Sequence, residues 1–294
     1  MSNTFTWPQG VRCGVWLSVN FDAESFDLRE TTEARLFGRF SYGRYGVRAG
    51  LPRLLDLMDR QNIPGTFFVS GSDALRHRDL VRDIAQAGHE IGARGMELVP
   101  LPTLGESEFS QLQECRDILS DIVGAAPKGF RAFSNTLSTR TLSHLAALGF
   151  EYDASFQDDD FPYCIGTQSG KTLVEIPSVF ALDDAPIYSA RHTHARLLQI
   201  WKDEFDAQYA AGVMVPLTTH LRGDFGSTRA ARIATLSQFI DHVKQREGVK
   251  FMTGAELARH SQTLGLEVEE DPFLRHEAVL KITPYRGDLA VKPM

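Results

Sequence analysis

Asp22 and Glu24 lie two residues apart just past an apolar run, and Ser70, Arg94, Arg131 and His220 each stand at the end of a later one. Two carboxylates at that spacing repel, which raises the pKa of one and equips it as a general base, provided that something positive holds the pair together. Arg94 and Arg131 are the expected counter-charges. A guanidinium also donates two hydrogen bonds to a carbonyl oxygen as it becomes an oxyanion. His220, with an ordinary pKa near 6.5, is suited to protonating a leaving group. Together these residue types describe acid–base chemistry at a carbonyl. Each also has a plain reading: Arg131 as a salt bridge at the rim, His220 as a buried structural histidine, and Asp158 to Asp160 as a solvated loop.

Residues with these roles need elements that bring them together. Strand-like runs occur at 15–21, 65–70, 90–94, 129–133, 151–155, 173–177, 213–221 and 249–254. Amphipathic stretches at 50–61, 72–88, 105–123 and 230–248 lie between them. Strand and helix alternating this often imply a parallel α/β sheet. The reactive residues follow several different strands, which favours a closed (β/α) barrel with its site on the C-terminal rim over an open doubly wound sheet. No GxGxxG and no GxxxxGK[ST] occurs, so nucleotide binding has no support. Residues 25–48, rich in aromatics, Arg and Gly, suit either a lid over the rim or a subunit contact.

With 294 residues, 43% hydrophobic and a formal charge of -7, the chain has enough apolar material for a core and no basic surface for nucleic acid or anionic membrane. Its three cysteines are scattered and read as buried thiols. The first residues show no signal-peptide pattern and no window resembles a membrane span, so a cytoplasmic location is expected. The division expected is a catalytic barrel over residues 1–263 and an extension over 264–294 that packs on the barrel or on another subunit. A homo-oligomer, dimer or tetramer, is expected because Phe37, Tyr42, Phe273 and Leu274 lie in segments outside the barrel pattern.

Six segments in order, from "NFDAESFD" through "YGVRAGLPRLLDLMDRQNIPGTFFVSG", "LVRDIAQAGHEIG", "GFRAFSNTLSTRTLSHLAALGFEYDASFQDDDFPY" and "LVEIPSVFALDDAPIY" to "HLRGDFGSTRAARIATLSQFIDHVKQREGVKFMTGAEL", resemble the polysaccharide deacetylase superfamily. The similarity is to the branch holding peptidoglycan deacetylase-like proteins and metal-independent allantoinases. It implies a distorted (β/α) barrel and hydrolysis of a C–N bond. It also implies that Asp22 is the base, that Glu24 stands where an acidic metal ligand would, and that Arg131 is the arginine orienting the base. The family's two histidine ligands, aligned through "GHEIG", fall on Arg94 and Leu98. A guanidinium has no free lone pair and leucine has no donor, so neither binds zinc. His89 precedes the third strand and is expected to be structural. Neither metal nor other cofactor is expected.

Arg94 then replaces the dication as counter-charge and electrophile, but it does not make hydroxide from water as a metal does. That favours a substrate with an activated carbonyl and a stabilised leaving nitrogen: a cyclic imide, hydantoin or ureide, opened as by an imidase or allantoinase. A de-N-acetylase with a degraded metal site and a non-catalytic binding homologue are the alternatives. Ser70, Phe133, Asp159 and Glu175 are the expected substrate contacts.

Overall fold

Alternation along the first strand, β1 (Cys13–Asn20), sets the two sides of the sheet. Cys13, Val15, Leu17 and Val19 point outward into a core shared with the surrounding helices, whereas Trp16 packs with the apolar residues inside the ring. Successive side chains of a strand point to opposite faces, so Ser18 and Asn20 share the inward face with Trp16. That inward row becomes more polar toward the C-terminal end.

The computed structural model describes residues 4–32, 36–38 and 40–273. The later strands are β2 (Thr66–Val69), β3 (Glu90–Ala93), β4 (Gly129–Phe130), β5 (Tyr152–Asp153), β6 (Tyr163–Gly166), β7 (Thr172–Glu175), β8 (Val215–His220), β9 (Val249–Phe251) and β10 (Val268–Glu270). Each run expected to be a strand contains one, and β6 and β10 are additional. The hydrogen-bonded order is β10-β6-β7-β5-β4-β3-β2-β1-β8, with β9 beside β1. Pairing is parallel except between β6 and β7. The ring does not close by a ladder: a single parallel bridge from Asp183 to Thr218 spans the gap between the chain after β7 and β8. The closed barrel expected from the alternation is therefore distorted and open, because the antiparallel hairpin of β6 and β7 takes up the pairing edge that β8 would need.

The other end of the ring is stoppered by the helix Gly254–Thr263, whose Leu257 and Ala258 pack with Trp16, Phe68 and Tyr152. Thr253 and Glu256 form a capping box at its start. The Gly254 amide donates to Thr66 Oγ1 at 2.9 Å and the Ala255 amide to Glu90 Oε2 at 3.0 Å, while Tyr152 donates to Glu90 Oε1 at 2.9 Å. A Cβ at Gly254 would collide with the Tyr152 hydroxyl, so the close approach requires glycine.

The stretch 72–88 forms two helices, Gly71–Arg76 and Arg78–Gln86, because His77 leaves helical geometry (φ -129°, ψ 40°) and its ring bonds Glu24. The 25–48 segment is largely helical among its described residues, with helices Glu24–Leu28 and Tyr42–Tyr45 leading through a π-turn at Gly46–Gly50 into Leu51–Arg60. After residue 264 the chain adds β10 to the sheet, and Phe273 packs edge-on against Phe156. Leu274 and the rest of the extension lie outside the described residues. Among the described residues no helix is long and apolar enough to cross a membrane.

Asp153 and Glu175, paired in register at the ends of β5 and β7, are wholly buried and hydrogen-bonded to each other. Burial raises both carboxyls, and the charge of Asp153 raises Glu175 further. Both folded values exceed the ordinary 3.8 and 4.5, so the pair's contribution to stability is complete below those values and declines as pH rises through the raised ones. Urea unfolding at about pH 4.5 and about pH 8 should show a loss of stability with rising pH that Asp153→Asn reduces; equal slopes in the two proteins would show that the pair does not carry it.

Candidate active site

The inward row of β1 ends at Asp22, whose φ of 30° lies in the left-handed region that non-glycine residues rarely enter. Such a conformation costs of order 1–3 kcal/mol and persists only where the surroundings enforce it. Asp73 is part of that enforcement. Its carboxylate accepts the amides of Ala23 (2.9 Å) and Ser25 (3.0 Å) and the Ser25 hydroxyl (2.5 Å), fixing the turn after Asp22. Asp73 is itself held in the helix that Ser70 caps through the Asp73 amide, so Ser70 supports the turn and is buried.

Arg94, the first residue past β3, meets Asp22 in a two-point ion pair, with Nε to Oδ1 at 2.7 Å and Nη2 to Oδ2 at 3.2 Å. Both side chains are nearly inaccessible, 5% and 1% exposed. Among the described residues Nη1 has no acceptor, so this nitrogen is free for another oxygen. Arg131 lies deeper, below the pair. Its guanidinium carbon is 4.4 Å from the centroid of Phe68 and 5.0 Å from that of Trp16. It donates to Ser18 Oγ (2.8 Å), Asn20 Oδ1 (3.5 Å) and the Ala154 carbonyl (3.1 Å). Burial, and after it the charge of Arg94, brings the guanidinium down to about 10. The acidic charge cluster expected around both arginines is thus smaller than the sequence suggested, since Arg131 takes neutral acceptors.

His220 is the last residue of β8 and stands beside Asn20 in register. Its Nδ1 is 2.7 Å from Asp184 Oδ1, and Asp184 Oδ2 accepts the His220 amide (3.1 Å) and the Thr219 hydroxyl (2.7 Å). Nε2 faces the Asn20 amide at 2.9 Å. Burial opposes the imidazolium, but the charge of Asp183 and the bond to Asp184 outweigh it and raise the pKa. Asp184 and Asn20 are the functional neighbours that sequence reasoning left out of its central set. The available signal was the inward register of Asn20, which reading β1 by twos would have found.

Glu24 does not share the Asp22 cluster. The short helix Glu24–Leu28 begins at this residue and turns its carboxylate to His77 Nε2 at 2.6 Å, and despite burial that bond and charge lower its pKa. Phe133 does reach the site, its ring centroid 5.8 Å from the Arg94 guanidinium carbon. Asp159 is turned away: it is exposed, accepts the Phe161 amide, and sits next to Asp160, whose carbonyl takes the Met214 amide before β8. Glu175 lies wholly buried in its pair with Asp153, with no path to a ligand through its own exposed surface. His89, as expected, lies before β3 at the opposite end of the barrel and packs on Phe67.

An ion pair, an aspartate–histidine pair and a buried arginine thus lie together at the C-terminal ends of β1, β3, β4 and β8, the rim where (β/α) barrels build their sites. The sequence profile of the polysaccharide deacetylase family matches residues 38–152. The fold superposes with a TM-score of 0.83 and 34% identity on a crystal structure from Mycobacterium smegmatis that carries a polysaccharide deacetylase name, covering 90% of this chain and 95% of that one. PuuE allantoinase superposes with a TM-score of 0.78 and 27% identity over 87% of this chain and 92% of its own. A peptidoglycan deacetylase of Helicobacter pylori is 28% identical over 255 residues, covering 74% of this chain and 85% of that protein. The chain belongs to the polysaccharide deacetylase superfamily, and is a deacetylase-family hydrolase acting on carbon–nitrogen bonds.

The side chains present do not fit a family zinc ion. Both Asp22 oxygens receive Arg94, which stands where a ligand would, and Leu98 is buried without a donor atom. Among the described residues, ligand atoms of Asp183, Asp184 and His220 converge to within 4.8 Å of one another. Binding through Nδ1 would require breaking the Asp184–His220 bond, and Asp184 Oδ2 already serves two donors. Elemental analysis of protein purified without chelator should therefore find well under one zinc per chain; a stoichiometric metal whose removal abolishes activity would overturn this assignment.

Proposed function

We propose that this protein is a metal-independent hydrolase that opens a cyclic amide, an imide, hydantoin or ureide, at a C–N bond. The observation that carries the reading is the buried two-point pair of Arg94 and Asp22 at the place where the superfamily resemblance expects a metal. The likeness to PuuE allantoinase supports it.

The roles follow from the geometry. The carboxylate of Asp22, held in place by Arg94, takes a proton from water. The free Nη1 of Arg94 donates to the carbonyl oxygen as negative charge builds there, an interaction that strengthens in the transition state. His220, held by Asp184 and with a raised pKa, supplies a proton to the departing nitrogen. Once Nε2 has given up its proton, Asn20 Nδ2 donates to it, with Asn20 Oδ1 held by Arg131. Arg131 positions Asn20 and Ser18 beneath. An ordinary acetamide has a resonance-stabilised carbonyl and a basic alkylamine leaving group. In a cyclic imide the second acyl group drains the nitrogen lone pair, so both difficulties shrink and the weaker electrophile suffices.

The deciding assay presents chelator-treated protein with succinimide, glutarimide, dihydrouracil, hydantoin, allantoin and acetylated chitooligosaccharides. Ring opening of one or more cyclic amides is expected; acetate release from the oligosaccharides alone would establish the deacetylase reading, which two of the three relatives' names favour. Arg94→Ala should lower kcat by about 10²–10³, as for loss of an oxyanion donor. It should also destabilise the fold by about 3–5 kcal/mol through the stranded carboxylate. The double variant with Asp22→Asn should recover stability without recovering rate. If that double variant turned over at a near-native rate, Asp22 and Arg94 would be a structural pair and nothing more.

A further inference from the structure

The mouth of the site is covered by rings. Phe225 lies 5.3 Å from the His220 imidazole, and Phe133 stands over Arg94 on the other side. Phe26 bridges them, edge-on to both, 6.0 Å from Phe133 and 5.6 Å from Phe225. Arg222 and Arg29 lie over the Phe26 ring with guanidinium carbons at 4.1 and 4.6 Å. Beneath this cover Asp22, Arg94, Arg131 and His220 are 2%, 5%, 2% and 6% exposed. A substrate reaches them only if part of the cover moves.

The backbone carrying Phe26 is held on both sides. Asp73 grips the amides of Ala23 and Ser25, and Asp27 accepts the Gly43 amide (3.0 Å) and Arg222 Nη2 (2.8 Å). A Cβ at Gly43 would strike the Ala23 carbonyl, so these two segments are in direct backbone contact. What remains free to turn is the Phe26 side chain, which is only partly buried.

We infer that the Phe26 ring is both the gate and the size-selecting residue of this site, swinging aside to admit a planar ring that then packs between Phe133 and Phe225. The inference rests on the cyclic-amide reading for its substrate and on the packing alone for the gate. Aromatic faces flanked by guanidinium groups suit a flat, delocalised heterocycle with a polar edge.

Two measurements test it, on Phe26→Ala and Phe26→Leu variants whose melting temperatures are checked first. In the kinetic arm, removing the ring should move the kcat/KM ratio of phthalimide to succinimide toward the larger substrate. Phe26→Trp should move that ratio the other way. An unchanged ratio in all three variants overturns size selection. In the second arm, diethylpyrocarbonate modification of His220, mapped by mass spectrometry, should be slow in the native protein and faster in both smaller variants. Equal rates overturn the gate. If the native protein opens no cyclic amide, the substrate reading falls, while the His220 labelling still decides whether Phe26 covers the site.

Discussion

The ion pair between Asp22 and Arg94 is the constraint to which the rest of the site is fitted. A carboxylate and a guanidinium so far from water are stable only as a matched pair with its hydrogen bonds made, because desolvation of either alone costs several kcal/mol. The geometry that matches them needs Asp22 in the left-handed region, and that backbone needs Asp73 behind it. The chain thus commits two charged side chains, Arg94 and Asp73, and a strained turn to holding one carboxylate still. Such rigidity is preorganisation, since charge that develops in a reaction meets donors already in place.

Below that pair the barrel interior is graded. Trp16, Phe68 and Tyr152 fill the N-terminal half with apolar surface. Ser18, Asn20 and Arg131 form a polar middle layer, and Asp22, Arg94 and His220 stand at the rim. Arg131 tolerates its depth because two aromatic faces and three oxygen acceptors replace water around it. Its Nη2 nevertheless has no partner among the described residues.

Much of this was legible from the sequence. Strand positions followed from apolar runs, and the placement of Asp22, Arg94, Arg131 and His220 at strand ends followed from them. The strands that were missed, β6 and β10, are short, and one is wholly exposed, so neither carries a strong apolar pattern. Glu24 misled because its spacing from Asp22 suggests a shared face on one strand, yet the strand has ended and a helix begun at Glu24. Asp159 and Glu175 misled in opposite ways: one is drawn off by a loop serving an antiparallel hairpin, the other sealed by its acidic neighbour. Pairings such as Asp184 with His220 join residues 36 apart in the chain and depend on a tertiary crossing that no local pattern encodes.

The order of the strands has a consequence for how the molecule comes into being. β1, which leads directly to Asp22, pairs with β8 and β9, and both are made about two hundred residues later. The stopper helix that seals the interior beneath Trp16 ends at Thr263. The other neighbour of β1, β2, lies much nearer in the chain, so one side of β1 is joined by a short connection and the other only by long ones. Contacts this distant in sequence must overcome loop-closure entropy before they add any stability. His220 therefore reaches Asn20 only through a long-range closure, whereas Arg94 reaches Asp22 through the nearer strands β2 and β3.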